Sequence, residues 1–321
     1  MPDRDSSSQA TEATRRAIAE ASAALPFDDT QDFDDVARGF IARAETRQIL
    51  LADGGLAWDL DAYRFLEEPA PDTANPSLWR QGQLMIKDGL FEVVPGIYQL
   101  RGFDLSVMSV IEGETGVIVV DPLTCTETAA AAFALYTAHR GLRPVRAMIY
   151  THSHLDHFGG VKGIITQEQV DAGEVPVIAP EHFTHHAISE NVYAGIAMSR
   201  RAAYMYGAAL DKGPAGQIGA GLGQTVPQGS PTLIPPTVDI THTGQELTID
   251  GVRIVFQMSS TAATSSTPAA MMRPTPRKRE IDRNQSSASL EYSTANTPGL
   301  PSNWVPSAPT TALSSVSGTT R

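Results

Sequence analysis

The sequence predicts an α/β fold in which short strands come first and then alternate with helices. Between residues 89 and 120, β-prone apolar runs are separated by turn signals such as Pro95-Gly96. From residue 121 to residue 206, apolar runs alternate with helical patterns, and residues 237–257 return to short strands joined by Asp250-Gly251. This order is typical of sheets that are covered by helices.

The composition limits the class of protein to which the chain can belong and the partners that it can bind. The chain has 321 residues with 41% hydrophobic and 19% charged residues, which is typical of soluble globular proteins. Its net charge of -12 disfavours nucleic acid as a partner. The single cysteine, Cys125, excludes an intrachain disulfide. No apolar run approaches the roughly 18 residues of a membrane span and no Sec-type signal is visible, so we expect a cytoplasmic location.

Three regions follow from the local patterns. Residues 1–88 are predicted to form an N-terminal helical and extended segment, with helices over 9–25 and 30–52 and a helical turn near 78–85. Residues 89–258 are predicted to form the α/β domain. Its predicted strands are 91–94, 97–100, 105–111, 117–120, 145–150, 175–179, 237–240, 246–249 and 252–257, and its helices are 127–139 and 181–206. Residues 259–321 are rich in Ser, Thr and Pro, which predicts a disordered tail.

The residues that indicate chemistry follow directly on the strand predicted at 145–150. They read His152-Ser153-His154-Leu155-Asp156-His157. Imidazole and carboxylate are the ligands that zinc and similar metals prefer. In an extended or turning loop, His152 and His154 project to one side, and Asp156 and His157 reach a second position. The spacing therefore predicts two metals about 3.5–4 Å apart, an arrangement that hydrolyses esters.

Other polar residues allow two interpretations each. Asp121 ends the strand 117–120, where it either orients a ligand histidine or caps the next helix. His182, His185 and His186 are expected to be exposed on a helix. Arg200, Arg201, Tyr204 and Tyr206 share the helix predicted at 181–206, and an ordinary packed or solvated helix face is favoured over contact with an anionic substrate.

The motif and the sequence around it resemble the alkyl sulfatases of the metallo-β-lactamase superfamily, which hydrolyse dodecyl sulfate. The resemblance runs from about Phe33 to Met258. It rests on the segments 87–93, 102–106, 148–163, 189–195, 199–207 and 219–223.

The resemblance implies an αββα sandwich whose N-terminal half is present in this chain. It also implies two zinc ions, with His152 and His154 on one and Asp156 and His157 on the other. Asp156 is the candidate catalytic residue. The implied reaction is hydrolysis of a linear alkyl sulfate to an alcohol and sulfate, and the implied partner is that small-molecule substrate. Members of the family are homodimers, but the dimerisation region that the family carries is not recognisable here.

The sequence departs from the family after Met258. The family continues with a Thr-Pro-Gly-Thr-Glu type segment whose glutamate binds metal, whereas this chain reads Ser-Ser-Thr-Ala-Ala. No histidine follows His242. The resemblance thus predicts a truncated form, with weakened metal binding and one sheet left with an exposed apolar face. Two alternatives stay open: another hydrolase on this fold, such as a lactonase or thioesterase, and a non-catalytic fragment that binds metal.

Overall fold

The computed structural model describes residues 9–260 and 268–275, which belong to one compact unit. Its helices are α1 (Glu12–Ala24), α2 (Gln31–Ala37), α3 (Pro76–Met85), α4 (Thr126–Arg140), α5 (Gln167–Asp171), α6 (Phe183–Ile188) and α7 (Gly195–Tyr206). Its strands are β1 (Phe40–Ala42), β2 (Gln48–Leu50), β3 (Leu56–Asp59), β4 (Gly89–Val94), β5 (Ile97–Arg101), β6 (Met108–Glu112), β7 (Val117–Val120), β8 (Val145–Ile149), β9 (Val177–Pro180), β10 (Val238–Ile240), β11 (Glu246–Ile249), β12 (Val252–Ser260) and β13 (Pro268–Thr275). Short 3₁₀ helices span Arg64–Glu67, Leu155–His157 and Val161–Gly163, and a π-helical segment spans Ser189–Tyr193.

The strands form an eight-stranded sheet in the order β1-β4-β5-β6-β7-β8-β9-β10, a three-stranded sheet β11-β12-β13 and the small pair β2-β3. The first half of the large sheet is antiparallel, whereas β7, β8, β9 and β10 are parallel. The carboxyl ends of β7 and β8 therefore meet at one edge, where ligand sites of α/β sheets commonly lie. The predicted α/β architecture is confirmed.

The core occupies both faces of the large sheet. Because successive side chains of a strand alternate, Val117 and Val119 of β7 pack with the α4 side while Ile118 and Val120 face the second sheet. All four residues of β7 are buried, as expected for a strand that is covered on both faces. Packing between the sheets comes from the β12 residues Val252, Ile254 and Phe256.

The predicted helix over residues 30–52 is wrong, because only Gln31–Ala37 is helical there. Gly39 has a φ of 74°, and a Cβ at this position would lie 1.9 Å from the carbonyl oxygen of Glu92. Because the backbone at Gly39 approaches that of Glu92 so closely, α2 ends before it and β1 begins after it, and β1 pairs with β4. Apolar residues at helical spacing thus belong partly to an edge strand of the main sheet, so the N-terminal segment is joined to the α/β domain.

The predicted helix over residues 181–206 is also interrupted. It begins at Phe183, because His182 has a left-handed φ of 65°, and it divides into α6, the π-helical segment and α7. The amide of Ala194 donates to the carbonyl oxygen of Ser189 at 3.0 Å, which is the wider hydrogen bond of a π turn. His182 and His185 are exposed, as predicted, whereas His186 is half-buried. Arg200, Arg201 and Tyr204 are exposed on α7.

Part of the segment predicted to be disordered is a strand. Residues 268–275 form β13, which pairs antiparallel with β12 from Arg253↔Thr275 to Ser260↔Pro268. The pairing satisfies backbone groups along one edge of β12. The remainder of the predicted tail, residues 261–267 and 276–321, lies outside the described residues.

The second sheet does not expose the apolar face that the resemblance predicted, as far as β11 and the described side chains of β12 extend. Its outward positions carry Glu246, Thr248, Arg253 and Gln257, all exposed, and Glu246 forms an ion pair with Arg253. Alternation places Leu247, Ile249, Val252, Ile254 and Phe256 inward, and the half-buried Val255 shares the outward face with Arg253 and Gln257. Among the residues that the structure describes, no helix is long and apolar enough to span a membrane.

Candidate metal centre

The predicted motif lies at the carboxyl end of β8, beside the residue that ends β7. Asp121 follows β7 with a left-handed φ of 53°, which turns its side chain toward the β8 loop. Its Oδ1 accepts a hydrogen bond from the Thr151 amide at 2.8 Å, and its Oδ2 accepts one from the Thr151 hydroxyl at 2.7 Å. Asp121 therefore fixes the loop immediately before the first histidine.

The three histidines of the motif are brought together. The ring centroid of His152 lies 4.5 Å from that of His154 and 4.0 Å from that of His157. Nδ1 of His157 lies 2.8 Å from Oδ2 of Asp121, and its Nε2 lies 3.3 Å from Oδ2 of Asp156. Of the two interpretations of Asp121, the structure shows a contact with a histidine of the motif. The helix α4 begins at Thr126 with Cys125 at its N-cap, so Asp121 does not cap it.

The pKa values of two imidazoles of the motif are shifted in opposite directions. Burial, reinforced by the positive charge of His157, lowers the pKa of His152 to about 4, so this ring is neutral at pH 7. Burial also lowers the pKa of His157, but the carboxylates of Asp121 and Asp156 outweigh it and raise the pKa to about 10. Burial raises the pKa of Asp156, yet its contacts with His157 hold it below the ordinary value.

The hydrogen bonds around His152 identify the nitrogen that can bind a metal. The Thr151 hydroxyl donates its proton to Asp121, so its oxygen is left to accept at 2.9 Å from Nδ1 of His152. The neutral ring therefore carries its proton on Nδ1 and a free lone pair on Nε2. A ligand histidine held in this way through its other nitrogen is the usual pattern at metal sites.

The side chains of the motif are of types that bind divalent metals, but they are not all directed at one point. Three imidazoles and one carboxylate are suitable ligands, and Asp121 holds His157 by Nδ1 so that Nε2 is the nitrogen left for a metal. However, within residues 9–260 and 268–275 no three His, Cys, Asp or Glu side chains are arranged so that they could hold one ion. The Nε2 atom of His157 instead contacts Asp156.

A second loop, residues 104–106, supports the motif through hydrogen bonds. The sequence did not predict a role for this loop. The Ser106 hydroxyl donates to the carbonyl oxygen of Asp156. Two residues earlier, the buried Asp104 accepts four hydrogen bonds, from the amides of Leu105 and Thr124 and the hydroxyls of Thr124 and Thr128. Burial raises the pKa of Asp104 to about 6 although these bonds oppose the rise. The only sequence signal for Asp104 and Ser106 was their place in the segment 102–106, which is part of the family resemblance.

The helix that follows β9 supplies two further contacts that the sequence did not indicate. Oε1 of Glu190 lies 3.4 Å from Nε2 of His154. The side-chain amide of Asn191 donates to the carbonyl oxygen of Ser153 at 3.4 Å and to that of Ala187 at 2.9 Å. Both residues belong to the π-helical segment, which lies beside the motif.

A known protein family matches the part of the chain that contains this cluster. The model of the metallo-beta-lactamase superfamily matches residues 101–256, which include the second supporting loop, the motif and the first strands of the second sheet. Residues 101–256 are thus similar to a metallo-β-lactamase domain. Such a domain implies a divalent metal site.

The chain is also similar to alkylsulfatases. It is 47% identical over 287 residues to a linear primary-alkylsulfatase of Pseudomonas sp., which covers 89% of this chain and 42% of that protein. It is 44% identical over 270 residues to an alkyl/aryl-sulfatase of Saccharomyces cerevisiae, with 84% and 41% coverage. The solved structure of a stereoselective inverting sec-alkylsulfatase from Pseudomonas sp. superposes with a TM-score of 0.77 at 43% identity, covering 84% of this chain and 42% of that one. The chain thus spans about two fifths of the length of these relatives.

Proposed function

We propose that the chain provides the metal-binding part of a hydrolase of linear alkyl sulfate esters. The reaction consumes water and releases an alcohol and sulfate. The single observation that carries the proposal is the cluster of His152, His154 and His157, held by Asp121 at the carboxyl ends of two parallel strands. The sulfate ester as substrate is supported by the similarity to a linear primary-alkylsulfatase.

Zinc is the metal that we propose, in two positions. His152 and His154 would hold one ion, and Asp156 and His157 the other. When bound, such ions polarise an ester oxygen and lower the pKa of a water molecule. The chain's own residues prepare the ligands: Asp121 fixes the ring of His157 by Nδ1, and the Thr151 hydroxyl leaves Nε2 of His152 free. Asp156, whose pKa is lowered, stays ionised near neutral pH and is the proposed catalytic carboxylate.

An assay of sulfate release tests this function. Purified protein would be incubated with zinc and dodecyl sulfate, and inorganic sulfate would be measured by ion chromatography. We expect turnover by the parent protein and a loss of at least about 100-fold in His152→Ala, because a metal ligand is removed. His242→Ala, which changes an exposed histidine between β10 and β11, should keep full activity. No sulfate release from metal-loaded protein would contradict the proposal, as would faster hydrolysis of a lactone or thioester.

A second candidate function is metal binding without turnover. It is supported by the partly assembled donor set among the described residues and by the share of the relatives that the chain spans. This candidate predicts that zinc binds to the parent protein and not to His152→Ala, while neither protein releases sulfate.

We also propose a cytoplasmic location, supported by a composition that lacks paired cysteines. Cell fractionation with an antibody against the chain tests it, and recovery in a periplasmic or extracellular fraction would contradict it.

A further inference from the structure

We propose that Glu190 is a positioning residue for His154, holding the ring by Nε2 so that Nδ1 is the nitrogen presented to the metal. The inference rests on the proposed metal site and adds a residue to it from a separate helix. Glu190 lies in the π-helical segment between α6 and α7, 36 residues after His154 in the sequence.

Glu190 lies within a π turn. The turn is closed by the hydrogen bond from the Ala194 amide to the carbonyl oxygen of Ser189, and such turns occur frequently at functional sites. Here two consecutive residues contact the motif: Glu190 lies beside His154, and Asn191 donates to the carbonyl oxygen of Ser153. The second bond of Asn191, to Ala187, fixes its amide against α6. The segment is therefore anchored at the position where Glu190 contacts the ring.

The distances assign opposite nitrogens to two histidines of the motif. Oε1 of Glu190 lies 3.4 Å from Nε2 of His154, whereas Oδ2 of Asp121 lies 2.8 Å from Nδ1 of His157. A neutral imidazole has one N–H and one lone pair, and a carboxylate stabilises the N–H on the nitrogen that it contacts. His154 should therefore present Nδ1 to a metal, and His157 should present Nε2.

Burial makes the contact effective. The Glu190 side chain is 16% exposed and that of His154 is 30% exposed, so neither is a fully solvated surface group. An ion pair between exposed long side chains contributes little, but a partly buried carboxylate beside a ligand histidine orients the ring. Glu190 is placed to act on the site through His154.

The tautomer of His154 in the metal-free protein tests the proposal independently of metal binding. Long-range ¹H–¹⁵N correlation spectra at mildly alkaline pH distinguish the two neutral forms of the ring. We expect a proton on Nε2 in the parent protein. Glu190→Gln should keep this form, because an amide oxygen at this position can accept a hydrogen bond from Nε2–H, and Glu190→Ala should shift His154 toward the Nδ1–H form. Glu181→Ala, an exposed glutamate just before α6, is the matched control.

Zinc titrations of the same proteins complete the test. We expect Glu190→Ala to bind zinc about 10–100-fold more weakly and Glu190→Gln to stay close to the parent. An Nδ1–H tautomer in the parent would overturn the proposal. Equal loss of zinc affinity in both variants would also overturn it and would make Glu190 a direct ligand instead. If the parent binds no zinc, the proposed metal site fails, whereas the tautomer result still decides the role of Glu190. Thermal unfolding of each metal-free variant verifies that it is folded.

Discussion

Replacing Asp121 by asparagine should remove most of the pH-dependent stability that the motif gives to the metal-free protein. Asp121 contacts His157 and accepts two hydrogen bonds from Thr151. An asparagine retains one acceptor oxygen, but its NH₂ group can face Nδ1 of His157 only if that nitrogen carries no proton. The substitution therefore removes a charge partner of the imidazolium and favours the wrong tautomer for metal binding.

The magnitude follows from the pKa of His157. The pKa is about 10 in the folded protein, whereas an imidazole in the unfolded chain has its ordinary value of about 6.5. Because the folded-state pKa is raised, the imidazolium contributes stability that is complete below about pH 6.5 and is lost as the pH rises through 10. Since one pKa unit corresponds to about 1.4 kcal/mol, this contribution is at most about 5 kcal/mol. Of the two carboxylates that produce the rise, Asp121 has the larger effect, so we expect it to account for more than about 2 kcal/mol.

Urea unfolding of metal-free parent and Asp121→Asn proteins near pH 6 and near pH 10 measures this contribution. The parent should have the larger free energy of unfolding. Its advantage over the variant should be greater near pH 6 than near pH 10, by more than about 2 kcal/mol. Asp239→Asn, an exposed position on β10, should show no such difference. Parallel pH profiles for parent and Asp121→Asn would refute the ion pair. Zinc affinity of the variant should fall about 10–100-fold.

Three further substitutions test the fold around the site by thermal or chemical unfolding. Asp104→Asn should destabilise the protein by about 1–3 kcal/mol, because either orientation of the amide turns NH₂ toward a buried backbone N–H; an unchanged stability would contradict the four-donor arrangement. Gly39→Ala should cost more than about 1 kcal/mol, since the left-handed φ and the approach to Glu92 exclude a Cβ, and a stabilising effect would show that β1 does not pair as described. Phe256→Ala should cost about 3–5 kcal/mol if β12 packs on the large sheet, and a loss below about 1 kcal/mol would show that the second sheet is not docked.

The strands of the domain were predictable because their patterns are local. Buried runs such as Val117–Val120 and the Asp250-Gly251 turn specify strands and a hairpin without reference to the rest of the chain. The helix predicted over 30–52 failed at Gly39, where a contact with β4 overrides apolar spacing that suits a helix. The helix predicted over 181–206 failed because helical periodicity does not reveal a π turn.

The candidate ligand residues stand out in the sequence as a dense group of side chains of metal-binding types, whereas the residues that support them do not. Asp121 could be placed beside the motif because it ends the neighbouring parallel strand. Ser106 and Glu190 contact the motif from a loop and a helix that only the folded chain brings close, and Asp104 fixes that loop through its bonds with Thr124 and Thr128. Residues 268–275 carry little apolar pattern, and their strand depends on an edge that β12 offers.

Metal content of the purified chain is the decisive measurement for the proposed centre. After exposure to zinc and gel filtration, mass spectrometry of the metal would be compared between the parent and a variant combining His152→Ala with His157→Ala. We expect at least one tightly bound equivalent in the parent, which should raise the free energy of unfolding by about 2.7 kcal/mol at a free zinc concentration 100 times Kd. The double variant should retain neither the metal nor the stabilisation. Equal metal content in the two proteins, or none in the parent, would contradict a metal centre at His152–His157.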